Sequence, residues 1–183
     1  IALFRRGAER SFERLGQALG SAQPLWAFWD LMHDRSNSSS TMEFIALAKA
    51  NPGLVMVRLS GFGQTGPYKD RPGFGAIGES MGGMRYITGY PDRAPVRVGI
   101  SIGDSLAAMF GVIGALSAIF HRATTGRGQV VDVALYEAVF AMMESMLPEY
   151  GMGGFVRERS GAALPGIVPS NTYPCRDGKY VVL

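Results

Sequence analysis

The hydrophobic and polar positions change pattern most sharply around residue 103. Val98-Gly99-Ile100-Ser101-Ile102 is an apolar, β-branched stretch that stops at Gly103. One carboxylate follows, Asp104, and then Ser105 to Phe120 runs without a single charge. This predicts a helix over Asp104–Arg122, closed by Thr124-Thr125-Gly126-Arg127-Gly128 with Gly126 as a left-handed cap. A membrane span needs about 20 apolar residues, so the run reads as a buried helix. Gly111, Gly114 and Ser117 recur along it and would permit close helix approach. Asp104 is the only acidic residue between Asp92 and Asp132. A carboxylate at a helix entrance sits under the positive end of the dipole. A structural first-turn role and a chemical role both fit that position.

Around this stretch the pattern alternates strand and helix. Residues 1–16 read as a loop entering a short helix, and 17–40 as an irregular insertion or flexible loop. Thr41 or Ser40 can cap a helix over Met42–Ala50, which Asn51-Pro52-Gly53 ends. Leu54–Leu59 is apolar except for Arg58 and reads as a buried, parallel strand. Residues 61–75 carry many glycines and form an extended loop. Ala76–Met84 is a helix candidate, and 85–100 is loop with an extended piece at Val96–Val98. Gln129–Leu135 is a strand, and Tyr136 to about Leu147 a helix whose Met and Phe stripe reads as core. Gly151–Gly166 is a Gly-rich linker. Asn171–Tyr173 and Tyr180–Leu183 flank Arg176-Asp177-Gly178-Lys179, a β-hairpin with an Asp-Gly turn. The order predicts α/β layering, with one domain over 1–150 and a linker and the start of a smaller domain over 151–183.

Composition narrows the class. The chain has 183 residues, 47% apolar and 18% charged, which is globular rather than disordered. A net charge of +3 with no basic run gives no nucleic-acid face. Cys175 is the only cysteine, so neither an intramolecular disulfide nor a cysteine-built metal site is possible. That fits a reducing compartment, and the cytoplasm is the expected location. His33 and His121 are too few and too far apart in sequence to suggest a metal cluster. The start lacks Met, and Lys179-Tyr180-Val181-Val182-Leu183 stops inside a strand-like run. The expectation is a piece of a longer protein.

Gly61-Phe62-Gly63-Gln64-Thr65-Gly66 matches G-x-G-x-x-G after a strand. A dinucleotide fingerprint requires a helix to open at its last Gly. Here Pro67-Tyr68-Lys69-Asp70-Arg71-Pro72-Gly73 follows, without helical periodicity. A turn, or a loop offering N–H groups to a thioester or carboxylate oxygen, remains open. No Ser-His-Asp set is legible.

Three segments taken together carry a resemblance. They are Asn51-Pro52-Gly53-Leu54-Val55 running into Leu59-Ser60-Gly61-Phe62-Gly63-Gln64-Thr65-Gly66-Pro67; Gly103-Asp104 with Thr125-Gly126-Arg127-Gly128-Gln129-Val130-Val131-Asp132-Val133; and Pro165-Gly166 through Asp177-Gly178-Lys179-Tyr180-Val181. Over residues 41–183 the chain resembles the class III CoA-transferases, the group with formyl-CoA transferase and carnitine CoA-transferase. The resemblance implies a Rossmann-like large domain, a smaller domain and an interlocked homodimer. It implies that Asp104 attacks an acyl-CoA thioester and passes CoA to a carboxylic acid through an aspartyl intermediate. The substrates would be acyl-CoA and an acid, with no permanently bound cofactor, no metal, no nucleic acid and no membrane. Phe4 and Arg5 fall where the family touches CoA, although Leu3-Phe4-Arg5-Arg6-Gly7 replaces its Asn-Phe-Arg-Pro-Gly. Gly61, Gly63 and Gln64 are the other expected CoA or substrate contacts. Residues 17–40 carry no resemblance. Gly166-Ile167-Val168 is not the glycine run of formyl-CoA transferase, so formate and oxalate specificity is not implied. The alternatives are a 2-methylacyl-CoA racemase of the same superfamily and a non-catalytic binding or assembly fragment.

Overall fold

Three parallel strands in the order β1-β2-β3 organise the computed structural model, which describes residues 27–30 and 46–183. In chain order the elements are β1 (Ala27–Asp30), β2 (Met56–Ser60), α1 (Gly75–Met81), α2 (Met84–Ile87), α3 (Ile102–Thr125), β3 (Val130–Ala134), α4 (Leu135–Phe140), α5 (Met146–Gly153), β4 (Thr172–Pro174) and β5 (Tyr180–Val182). Met56 stands opposite Ala27 on one side and Val130 on the other. The α/β layering expected from the pattern is present.

Val55, just before β2, and Met56 and Val57 at its start are all buried in the core. A buried cluster joins Leu106 and Ala107 of α3 to Val133 of β3, Leu135, Ala138 and Val139 of α4, and Met143. α3 lies directly on the sheet. A Cβ on Gly111 would sit 3.3 Å from Val57 Cγ1, and one on Gly114 only 2.5 Å from Val131 Cγ1. Helix and strands run in opposite directions, because Arg122 near the end of α3 donates to the Gly53 carbonyl just before β2, at 3.2 Å. The start of α3 therefore lies towards the carboxyl ends of β2 and β3. In open parallel sheets that is the end where ligands bind. Gly126 caps α3 in the left-handed region, with φ 73° and ψ 0°. Its N–H donates to the Arg122 carbonyl at 2.8 Å, the cap expected from the sequence.

With 24 residues α3 is longer than its sequence pattern predicted, and by length and composition it could cross a membrane. One face packs against the sheet and α4, while Met109, Val112, Ile113, Leu116 and Phe120 are exposed on the rest. A groove of about 410 Å³ runs beside β3, lined by Phe110, Ile113, Val131, Val133, Ala138 and Ala141 among others. Asp104 does not line it.

Several expectations need correction. A strand, β1, lies inside the stretch read as an irregular insertion. Its partner is β2, far away in sequence, so no local periodicity announces it. The helix expected over Ala76–Met84 is two, broken at Gly83 with φ 95°. Val96–Val98 forms no strand; Val96 makes one bond to the Thr88 carbonyl, at 3.1 Å. The helix from Tyr136 ends at Phe140. A separate helix, α5, begins at Met146 with Pro148, which lacks an N–H, in its first turn. Arg157 fixes the break: it donates to Glu144 Oε2 at 3.0 Å and to Ser145 and Glu149. α5 runs on to Gly153, into the start of the stretch 151–166 read as a linker. The hairpin is present as β4 and β5, antiparallel. The expected cap at Ser40 or Thr41, the helix in 1–16, and Phe4 and Arg5 lie outside the described residues.

α1 carries a fully buried acid. Glu79 is 0% exposed, and its Oε2 accepts from Arg85 Nε at 3.1 Å and Nη2 at 2.7 Å. Its Oε1 faces Arg97 Nε at 3.9 Å. Removing one partner of a buried pair strands the other charge and leaves a cavity. Arg85 keeps 26% exposure and can reach water, which moderates the loss. Glu79→Ala is expected to cost about 2–4 kcal/mol in chemical denaturation. A change below about 1 kcal/mol would show that the pair contributes little.

Candidate active site

Asp104 is the third residue of α3 and the only acid in its first turn. Ser101, the N-cap residue, makes no side-chain cap; its Oγ instead accepts from Arg97 Nη2 at 3.4 Å. Asp104 does not replace it as a cap. Among the described residues its carboxylate takes part in no hydrogen bond and no ion pair, and it is half-buried. A structural carboxylate at a helix start normally accepts a backbone N–H. This one is left uncommitted beside the free N–H groups and the positive end of a 24-residue helix.

The carboxylate rests on Gly75, the first residue of α1. A Cβ there would lie 2.6 Å from Asp104 Oδ2 and 3.2 Å from its Cγ. Two residues back, Gly73 crosses Gly61 so closely that a Cβ on Gly61 would overlap Gly73 Cα and come 2.9 Å from Gly73 C. The segment Gly73-Phe74-Gly75 thus has the glycine loop after β2 on one end and Asp104 on the other. Phe74, between them, is 45% exposed.

The glycine loop is not a dinucleotide cradle. After Gly66 come turns, and no helix opens until Gly75. β3 holds it: Gln64 N–H donates to Asp132 Oδ2 at 2.8 Å, and Gln64 Nε2 to Ser60 Oγ at 3.2 Å. The Gln64 N–H is therefore committed within the protein. Gly63, with φ 80°, turns past the same carboxylate. Phe62 packs on Tyr68 and Tyr136, with centroids 5.5 and 6.0 Å away, and the Arg71 guanidinium lies 4.1 Å from the Tyr68 centroid.

Gly61 thus reaches Asp104 through Gly73 and Gly75, while Gly63 and Gln64 are anchored to Asp132. Sequence reasoning missed Gly73, Gly75, Glu79 and the Asp132 tether. Gly73-Phe74-Gly75 repeats the Gly-Phe-Gly of 61–63, a signal for close backbone approach that went unused. No group of three or more potential metal ligands occurs among the described residues, and Cys175 is exposed in the hairpin.

Comparison with known proteins identifies relatives of the chain. CoA-transferase family III matches residues 33–183. The chain is 62% identical over 133 residues to the succinyl-CoA–D-citramalate CoA-transferase of Chloroflexus aurantiacus, covering 73% of this chain and 33% of that protein. It is 46% identical over 138 residues to the succinyl-CoA–L-malate CoA-transferase alpha subunit of the same organism, covering 75% and 32%. The solved structure of a CAIB/BAIF family protein from Brucella suis superimposes with a TM-score of 0.69 at 36% identity, covering 75% of this chain and 36% of that one. The chain spans about a third of the length of the curated relatives it matches. It belongs to CoA-transferase family III.

Proposed function

We propose that the full-length protein moves CoA between an acyl-CoA thioester and a carboxylic acid, with Asp104 as the covalent nucleophile. The observation that carries this reading is the Asp104 carboxylate, without a hydrogen bond or ion pair among the described residues and seated on Gly75 at the carboxyl end of a parallel sheet. A positioned carboxylate is a usable nucleophile towards a thioester. One Asp104 oxygen attacks the carbonyl carbon, the C–S bond breaks, and CoA departs as thiolate, leaving an acyl-aspartyl anhydride. The thiolate attacks the aspartyl carbonyl, releases the donor acid as its carboxylate, and leaves an aspartyl-CoA thioester. The acceptor carboxylate runs the same steps backwards and regenerates Asp104. No net proton moves.

Both named relatives pair succinyl-CoA with a hydroxylated dicarboxylic acid. Dicarboxylates are accordingly the proposed substrate class. Phe4, Arg5, Gly61, Gly63 and Gln64 are the proposed CoA or substrate contacts. The reading carries with it a homodimer, a cytoplasmic enzyme without resident cofactor, and a large domain giving way to a smaller one near residue 150. Incubation with succinyl-CoA and hydroxylamine should leave a hydroxamate on Asp104, located by peptide mass spectrometry. Trapping at another acid would sink the assignment.

Racemisation in the same superfamily needs two proton-transfer groups, an Asp and a His that follows a Gly in the loop after β2. The residue following Gly73 is Phe74, which cannot exchange a proton. The full-length enzyme is expected to wash no deuterium into the α-position of a 2-methylacyl-CoA in deuterated water. Steady incorporation that depends on Asp104 would replace transfer with isomerisation.

A further inference from the structure

We infer that Gly75 is a positioning residue for the Asp104 carboxylate, a role that rests on Asp104 being the nucleophile. Three observations carry it. The missing side chain at 75 is the surface on which the carboxylate lies: a Cβ would come 2.6 Å from Oδ2, 3.2 Å from Cγ and 3.4 Å from Oδ1. No hydrogen bond or ion pair among the described residues fixes that carboxylate, and Gly75 is the surface packed against it. Gly75 also begins a helix that is tied to the start of α3. It opens α1, whose Glu79, one turn on, is buried on Arg85 and faces Arg97. Arg97 in turn donates to Ser101, the N-cap residue of α3. One face of α1 thus holds both the start of α3 and the side chain that projects from it.

The other glycine of α1, Gly78, serves packing. A Cβ on Gly78 would meet Leu135 Cβ at 3.0 Å, which concerns the α1–α4 contact and not Asp104. Gly75 does not have a positive φ, so alanine is not barred there by its backbone. Alanine is also the better helix former. Whatever Gly75→Ala loses must come from the displaced carboxylate.

The test uses the full-length enzyme with Gly75→Ala, Asp104→Ala, the double variant, and Asp104→Asn. Displacing a reacting atom by about 1 Å costs on the order of 100-fold in rate. Gly75→Ala is expected to lose about 100-fold in kcat, with KM for succinyl-CoA within roughly 3-fold of the parent. It is expected to lower the thermal midpoint when Asp104 is present and to leave it unchanged, or raise it, in the Asp104→Ala background. A kcat within roughly 3-fold of the parent, while Asp104→Asn is inactive, would overturn the role of Gly75 alone. So would an equal loss of midpoint in both backgrounds, or failure to fold in both, because Gly75 would then be a packing residue. Full transfer by Asp104→Asn would overturn the nucleophile and the positioning role together.

Discussion

Asp104→Asn is expected to fold, to bind CoA, and to lose transfer by about 10⁴-fold or more. The size follows from what the substitution removes. A neutral amide oxygen is a far poorer nucleophile than a carboxylate, and the covalent route closes. The stability side is small, for a reason visible in the site. Asp104 is not the N-cap of α3 and accepts no hydrogen bond among the described residues. Only its attraction to the helix dipole is lost, about 0.3–1 kcal/mol. Transfer rate and thermal midpoint therefore separate the two roles. Near-normal transfer, or a midpoint collapse that accounts for the lost activity, would return Asp104 to a structural part.

Gly61→Ala is expected to be the most damaging change in the glycine loop. Its Cβ would overlap Gly73 Cα and lie 2.9 Å from Gly73 C, against backbone with no flexible tip to yield. Overpacking usually costs about 1–3 kcal/mol, and rigid surroundings place this case at about 3 kcal/mol or beyond. Gly66 supplies the comparison. It has φ 85° and nothing within 4 Å of a built Cβ, so Gly66→Ala meets only backbone strain, about 1–2 kcal/mol. Urea midpoints of the full-length variants should rank parent, Gly66→Ala, Gly61→Ala, in falling order. A smaller shift for Gly61→Ala than for Gly66→Ala would mean that the loop moves off Gly73 freely. Because Gly73 leads to Gly75, Gly61→Ala should also slow transfer.

What could be read from the sequence was what local pattern encodes. The run after Asp104 gave α3 and its Gly126 cap. The apolar stretches gave β2 and β3, and Asp177-Gly178 gave the hairpin. Asp104 stood out because a lone carboxylate between long uncharged stretches needs a reason. β1 was hidden because its pairing with β2 is non-local. The break at 141–145 was hidden because Arg157, further along the chain, holds Glu144 and Ser145. Gly75 was hidden because a glycine's function here is the absence of an atom, which acquires meaning only when Asp104 is brought against it. Glu79 was one acid in a helix candidate, and nothing local marks that the fold closes over it.

The placement of α3 also sets an order of events during synthesis. Its inner face is covered on one side by β2, which precedes it, and on the other by β3 and α4, which follow it. A ribosome adds about 5–20 residues per second. Leu106 and Ala107 are therefore made seconds before Val133, Leu135 and Val139, the residues that seal them. In that interval a 24-residue apolar helix has only half its cover. Slow codons between residues 126 and 139 would lengthen the exposure, and chaperone demand should follow their number.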